Sequence, residues 1–321
     1  SLSFDDLRRM LGNLEGIKVH VVGDVIVDSY VHTVLIGGNT KTPTFSVRYE
    51  SQDDYVGGAG IVAKHLRAAN ADVTLTTILG RDSWTEFVID DLESAGVTVN
   101  AIVDETRPTT NKKAFIADGY RLLKVDTLDN RSVSATTLND IRGKISSTPA
   151  DAVVFSDFRH GIFNRETIKP LAEAIPDGAF KVADSQVASR WGNILEFTGF
   201  DLITPNEREA RFALGDQDSV IRPLALRLYN AAACKTLILK LGARGSITYR
   251  SVGEDGDDPR SFIVLDSFAR EVIDAVGSGD AFLAYAALIL ARFSDPVAAS
   301  ILGSFAAACE CEHDGNIPID I

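Results

Sequence analysis

At 321 residues the chain is long enough for one large α/β domain with a modest insertion, or for two ordinary domains. A hydrophobic fraction of 45% beside 24% charged residues is that of a globular protein with a sizeable core. The 45 acidic residues outnumber the 32 basic ones, and the net charge of −13 argues against a nucleic-acid or membrane surface, so a bound anion must be met by a local basic or amide-lined pocket.

The opening residues carry no secretory leader pattern. Phe4 to Leu14 read as a short amphipathic helix leading into Lys18–Val22, a compact apolar strand. Thr33–Glu50 is β-rich and punctuated by Gly37, Gly38 and Pro43. Ala59, Val62, Ala63, Leu66 and Ala69 repeat at helical spacing, Val73–Leu79 follows as a β-rich run, and Trp84, Val88, Leu92 and Ala95 mark another helix. Lys113–Ala117 and Tyr120–Val125 flank Asp118-Gly119, a pair suited to closing a two-residue hairpin. Ala152–Ser156, Lys181–Asp184, Asp201–Thr204 and Thr236–Lys240 are apolar runs of buried-strand length, separated by helix-sized segments.

That alternation predicts a mostly parallel sheet covered on both faces. The segments near 30–50 and 108–126 break the rhythm and are expected to project as a small antiparallel sheet, a lid or a dimer contact. The acidic stretch Gly253–Asp258 reads as a solvated connection between two strands, and the apolar run Ala281–Ala291 is too short to span a bilayer. Cys234, Cys309 and Cys311 form no disulfide framework and suit a reducing compartment. The expected location is the cytoplasm.

The strongest chemical signal is Asp274-Ala275-Val276-Gly277-Ser278-Gly279-Asp280 ahead of an alanine-rich apolar helix. Glycines at a helix N-terminus present unsatisfied N–H groups at the positive end of the dipole, a natural anion site. Asp280 in that first turn could accept a proton from an attacking hydroxyl, and the helix end should keep it ionised and weakly basic. The alternative is a helix cap. Gly57-Gly58-Ala59-Gly60 is a second glycine turn; Gly58-x-Gly60-x-x-Ala63 loosely matches a dinucleotide fingerprint, but the preceding Ser51–Tyr55 is too polar for the buried strand that motif needs. Neither a Walker A sequence nor a protein-kinase catalytic loop occurs.

Asp24 and Asp28, Asn206 and Glu209, and Lys240 with Gly242 and Gly245 follow predicted strands, where ligands bind in open α/β sheets. The aspartates could bond sugar hydroxyls or serve as turn and cap residues. Asn206 and Glu209 could order Mg²⁺ through water or form a capping box. Cys309-Glu310-Cys311-Glu312-His313 has metal-like spacing but no second ligand pair. Lys112, Lys113, Arg121 and Lys124, with Arg107 upstream, concentrate positive charge on the hairpin. They could hold a phosphorylated substrate, or form a solvated basic edge that discourages strand pairing.

With these motifs in order, the chain resembles the ribokinase family of carbohydrate kinases, the PfkB group. The resemblance runs from Val21-Val22-Gly23-Asp24 through Gly57-Gly58 and Asn206-x-x-Glu209 to Gly277-Ser278-Gly279-Asp280, the last being highly specific in register with the others. Within the family the chain is most similar to the heptose-7-phosphate kinases, the kinase half of the bifunctional heptose-phosphate kinase/nucleotidyltransferase. Val22–Asp28, Lys41–Val47, Ser156-Asp157-Phe158-x-x-Gly161 and Leu202–Asn206 carry that similarity. The resemblance implies a central sheet flanked by helices, a β lid over the sugar, ATP along Lys240–Gly245, Mg²⁺, and commonly a monovalent cation such as K⁺. Three positions depart from the family pattern: Ala275 where threonine is usual, Ser278 where alanine is common, and Ile61 where asparagine often follows the paired glycines. No nucleotidyltransferase half is read in these residues.

The reading is therefore a three-layer α/β/α ribokinase-like kinase domain over 1–321 with β lid segments at 30–50 and 108–126 inserted in it. It is expected to transfer the γ-phosphoryl group of ATP to a sugar hydroxyl, the acceptor being a sugar phosphate such as D-glycero-D-manno-heptose 7-phosphate. Asp280 is the expected base, beside Gly277, Ser278 and Gly279. Asp24, Asp28, Gly57 and Gly58 are expected at the sugar, Lys112 and Lys113 at its phosphate. Asn206, Lys240, Gly242 and Gly245 are expected at the nucleotide, with Glu209 ordering Mg²⁺ through water. The lid strands are expected to pair in a homodimer, since Phe45, Val47, Phe115, Leu122 and Val125 need apolar cover. A free hexose, pentose or nucleoside remains an alternative acceptor, and a non-catalytic sugar or nucleotide sensor an alternative of another class.

Overall fold

Alternation of side chains along each apolar run decides the architecture. The computed structural model describes residues 2–39, 44–186, 193–250, 261–313, 315 and 317–320. In chain order its elements are α1 (Phe4–Leu11), β1 (Lys18–Gly23), β2 (Val25–Asn39), β3 (Thr44–Gly58), α2 (Ala59–Ala68), β4 (Asp72–Leu79), α3 (Ser83–Ser94) and β5 (Thr98–Val103). There follow β6 (Asn111–Ala117), β7 (Tyr120–Thr127), α4 (Ala135–Ser147), β8 (Ala152–Asp157), α5 (Ile168–Ala172), β9 (Phe180–Ser185) and β10 (Leu202–Ile203). The last are α6 (Glu207–Leu214), α7 (Ile221–Ala232), β11 (Thr236–Lys240), β12 (Ser246–Arg250), β13 (Phe262–Leu265), α8 (Ser278–Phe293) and α9 (Pro296–Cys311).

The central sheet has the order β13-β12-β11-β10-β9-β8-β1-β4-β5. It is parallel from β11 to β5, while β12 and β13 run antiparallel at one edge. The reversal is local: β11 and β12 are joined through a 3₁₀ turn at Gly242–Arg244, too short for the crossover that a parallel partner needs. Val154 and Ile238 face one side of the sheet with α2, α8 and α9; their neighbours Val153, Phe155, Leu237 and Leu239 face the other with α4 and α7. On that second side Phe155, Phe163, Phe197 and Phe200 pack with centroids 5.0 to 6.4 Å apart, each pair adding about 0.5–1.5 kcal/mol beyond its buried area. The expected three-layer α/β/α arrangement is the observed one.

A second sheet, β3-β2-β6-β7, rises from the end of β1; its outer pairs are antiparallel but β2 and β6 run parallel, so the expected antiparallel sheet is a mixed one. Its strands extend beyond the expected 30–50 and 108–126, because Val25–Val27 and Val56 continue into the core at the root. The Asp118-Gly119 hairpin forms as read, both residues at positive φ (49° and 78°). Ser51–Tyr55 does lie in a strand, but in this projecting sheet, where β3 is largely solvated; that exposure accounts for its polarity. Lys41–Pro43 and the acidic stretch Gly253–Asp258 lie outside the described residues.

Candidate active site

The turn before α8 is fixed by its own side chains. Asp274 Oδ1 accepts the Val276 N–H at 3.0 Å, and Ser278 Oγ donates to the Ala275 carbonyl at 2.9 Å. Gly277 takes the left-handed conformation at φ 87° as N-cap, a position that strains any residue with a Cβ. The first amides of α8 are left without helical partners, and Asp280 stands in that turn, 8% exposed. Burial, then the neighbouring Asp184, pushes its carboxyl up to about 8, outweighing Lys240. The sequence points to an Asp280 kept ionised and weakly basic by the helix end; desolvation, with Asp184, Glu310 and Asp28, instead raises its carboxyl.

One cleft of about 490 Å³ gathers most of the expected residues. Asp28 and Lys112 reach it from the lid, where they are register partners on β2 and β6. Gly58 lines it at the root of the lid, where a Cβ would come within 2.4 Å of the Asp24 carbonyl. Asn206, Glu209, Lys240 and Gly242 line it from the ends of β10 and β11, opposite Gly277, Ser278, Gly279 and Asp280. Asn206 and Glu209 form a reciprocal capping box, the Asn206 N–H donating to Glu209 Oε2 at 2.8 Å and the Glu209 N–H to Asn206 Oδ1 at 2.9 Å. Lys240 Nζ donates to Asp184 Oδ1 at 3.2 Å, and a Cβ on Gly279 would stand 3.2 Å from that nitrogen. Burial works against the Lys240 charge, but Asp184, Glu209 and Asp280 hold the ammonium above its ordinary range. Lys112 is shifted down, chiefly by burial, with Asp28 opposing; its Nζ lies 5.8 Å from the Phe158 ring centroid.

A second cavity of about 340 Å³ adjoins this cleft. It shares Lys240, Gly242, Ala275, Ser278 and Gly279 with it and extends past Gly245, Phe282 and Cys311. Gly245, expected among the nucleotide residues, lines this cavity only.

Asp24, Gly57 and Lys113 do not line the cleft. Asp24 is 5% exposed and its Oδ2 accepts the N–H groups of Phe158 and His160 at 3.0 and 3.1 Å. Its own N–H donates to Ser156 and its carbonyl accepts from Ala59, so it pins the lid's root to the loop after β8. Its Oδ2 is therefore committed to anchoring that loop. Lys113 follows Lys112 and alternation turns it to the opposite face of β6. Gly57 is a buried ladder residue opposite Ile26.

Sequence reasoning missed Asp184 and Glu310. Asp184 ends a correctly read strand, but nothing in its neighbourhood distinguishes it from a strand-end aspartate. Glu310 is fully buried in the last turn of α9, and neither carboxylate oxygen has a hydrogen-bond partner among the described residues. The Ile317 amide approaches without closing a bond, and burial pushes the carboxyl up to about 7. Such a group requires a proton or a cation for neutrality. The signal was its position within an otherwise apolar helix. No group of three or more His, Cys, Asp or Glu with metal-site geometry occurs among the described residues.

Comparison with known proteins agrees with this geometry. Residues 17–320 match the family model described as pfkB family carbohydrate kinase. The chain is 28% identical over 302 residues to the bifunctional protein HldE of Helicobacter hepaticus, covering 91% of this chain and 59% of that protein. It is 29% identical to a D-beta-D-heptose 7-phosphate kinase of Bordetella bronchiseptica, with 85% of this chain and 84% of that one covered. The chain thus spans about three fifths of the length of the HldE relatives it matches. Among solved structures, Escherichia coli phosphofructokinase-2 in complex with fructose-6-phosphate superposes with a TM-score of 0.75 at 15% identity, covering 92% and 94% of the two chains. Ribokinase from Thermotoga maritima gives 0.71 at 18% identity, covering 94% and 96%.

Proposed function

This chain belongs to the pfkB family of carbohydrate kinases, and from that premise we propose that it transfers the γ-phosphoryl group of ATP to a hydroxyl of a phosphorylated sugar such as heptose 7-phosphate. The observation that carries the reading is the cleft in which Asp280 and the Gly277–Gly279 turn face Asp28 and Lys112. The acceptor oxygen attacks the γ-phosphorus, the bond to the departing ADP oxygen breaks, and the hydroxyl proton passes to Asp280. A carboxyl raised by burial is a stronger proton acceptor than a solvated one, and the free amides of α8 stabilise charge on the transferring group.

The adjoining cavity suits an adenosine whose phosphates cross Ala275 to Gly279 into the cleft. Glu209 lines the cleft with a carboxylate, the hard oxygen donor that the oxygen-rich, partly hydrated shell of Mg²⁺ prefers. Mg²⁺ would neutralise phosphate charge there. Support for a phosphorylated acceptor comes from Lys112 and Lys124, which descend from the lid into the cleft, and from the relatives named as heptose kinases.

The lid also supports a homodimer. Ile36, Phe45, Tyr49, Tyr120 and Leu123 on its strands are 57% to 77% exposed, while the expected Val47, Phe115 and Leu122 are half-buried already. A four-stranded sheet with that much apolar surface in water favours a partner.

The test is to incubate the protein with ATP, Mg²⁺ and a panel of sugars and sugar phosphates while following ADP. Asp280→Asn should lower turnover by roughly two to four orders of magnitude while ATP still binds. Retention of more than about a tenth of the wild-type rate would reduce Asp280 to a cap.

A further inference from the structure

The cleft is lined by Lys112, Lys124, Lys240 and Arg208 as well as by carboxylates. Three of these cations have an acidic neighbour: Asp28 acts on Lys112, Asp126 lies 3.8 Å from Lys124, and Asp184 lies 3.2 Å from Lys240. Arg208 is different. It is exposed, and its guanidinium forms no hydrogen bond or ion pair with a described residue.

Its position is also electrostatically awkward. Arg208 is the second residue of α6, where the helix dipole disfavours a cation and favours the acids on either side. Those acids are engaged elsewhere. Glu207 pairs with Arg211 at 2.8 Å and with Arg244, and Glu209 closes the capping box with Asn206. An arginine is thus held at the rim of an anion-binding cleft without a counter-charge and against its helix dipole. Both features are resolved when an anion enters.

We propose that Arg208 is a phosphate-binding residue that grips the terminal phosphates of the nucleotide. This rests on the kinase reading above. Arg208 lines the cleft and a contiguous groove of about 760 Å³, in both of which Asn206, Lys240 and Gly242 are its wall neighbours. Lys240 and Gly242 continue into the cavity suited to adenosine, whereas Lys112 and Lys124 come down from the lid. The arginine therefore meets phosphates arriving from the nucleotide side, and its planar fork can take two oxygens of one phosphate at once.

Calorimetric titration of ATP, ADP and adenosine into wild type, Arg208→Gln and Arg208→Lys tests this, with KM measured for both substrates. In Arg208→Gln, ATP affinity should fall by about tenfold or more, as expected for loss of a charge-assisted hydrogen bond, with adenosine affinity and the KM of the sugar unchanged. Arg208→Lys should retain part of the ATP affinity, and the melting temperature of Arg208→Gln should hold or rise. Unchanged ATP affinity in Arg208→Gln overturns the proposal, as does a rise confined to the KM of the sugar phosphate. A wild type that binds ATP but releases no ADP with any sugar would defeat the kinase reading, while the ATP and adenosine titrations still decide the role of Arg208. A wild type that binds no ATP overturns both.

Discussion

Lys240 and Asp184 stand at the ends of β11 and β9 and meet across the intervening strand, Nζ to Oδ1 at 3.2 Å. The Thr204 hydroxyl, on the end of that intervening strand, donates to the same carboxylate oxygen at 2.8 Å. The pair places an ammonium beside Gly279 while keeping two buried charges compensated.

Removing one partner should therefore cost more than removing both. Lys240→Met leaves Asp184 buried with a single hydroxyl donor and should lose roughly 3–5 kcal/mol of stability together with nearly all transfer. Adding Asp184→Asn should restore most of the stability and none of the activity. Urea denaturation of the three proteins measures this; a Lys240→Met variant as stable as wild type would show that the pair is not compensating a buried charge.

Activity and stability should respond oppositely to pH. Burial raises Asp280 to about 8, and Asp157 and Glu310 to about 7. Between their unfolded values near 4 and those folded values, the native state binds more protons than the unfolded chain, so each makes stability fall as pH rises. His20, His65 and His160 are lowered by burial to about 4, 3 and 3 from 6.5, so each makes stability rise up to pH 6.5. Below pH 6.5 the two sets oppose, and above it only the carboxyls act. Melting temperature should decline from pH 6.5 to 8 while kcat/KM climbs as Asp280 loses its proton, and Asp280→Asn should flatten the decline. A wild type equally stable at both ends of that window would contradict the buried-carboxyl account.

Much of this was legible because the patterns are local. Strand-length apolar runs gave the central sheet, and Asp118-Gly119 gave the hairpin, since each depends on a few adjacent residues. Gly277–Asp280 was legible for the same reason. Asp184 and Glu310 were not, because their roles arise from burial and from neighbours 56 residues away, or in the C-terminal segment, that only the fold assembles. The structural tie of Asp24 to the amides of Phe158 and His160 was hidden because a strand-end aspartate has the same sequence appearance whatever its partners.

Assembly through the lid can be tested without touching the cleft. Phe45→Glu and Leu123→Glu alter residues 77% and 57% exposed, so the fold should survive in each. Light scattering at micromolar concentration should give a dimer for wild type and a monomer for the double variant. A fully active wild-type monomer would remove the dimer.

The most direct test of the central claim compares kcat/KM for heptose 7-phosphate with that for the unphosphorylated heptose, in wild type and in Lys112→Ala and Lys113→Ala. A charge-assisted contact to the substrate's phosphate is worth roughly 1.5–3 kcal/mol, so wild type should prefer the phosphorylated sugar by at least about tenfold. Lys112→Ala, which removes a cleft-lining ammonium, should erase most of that preference, and Lys113→Ala on the opposite face should leave it intact. Equal or better turnover of the free sugar, unmoved by Lys112→Ala, would contradict the account.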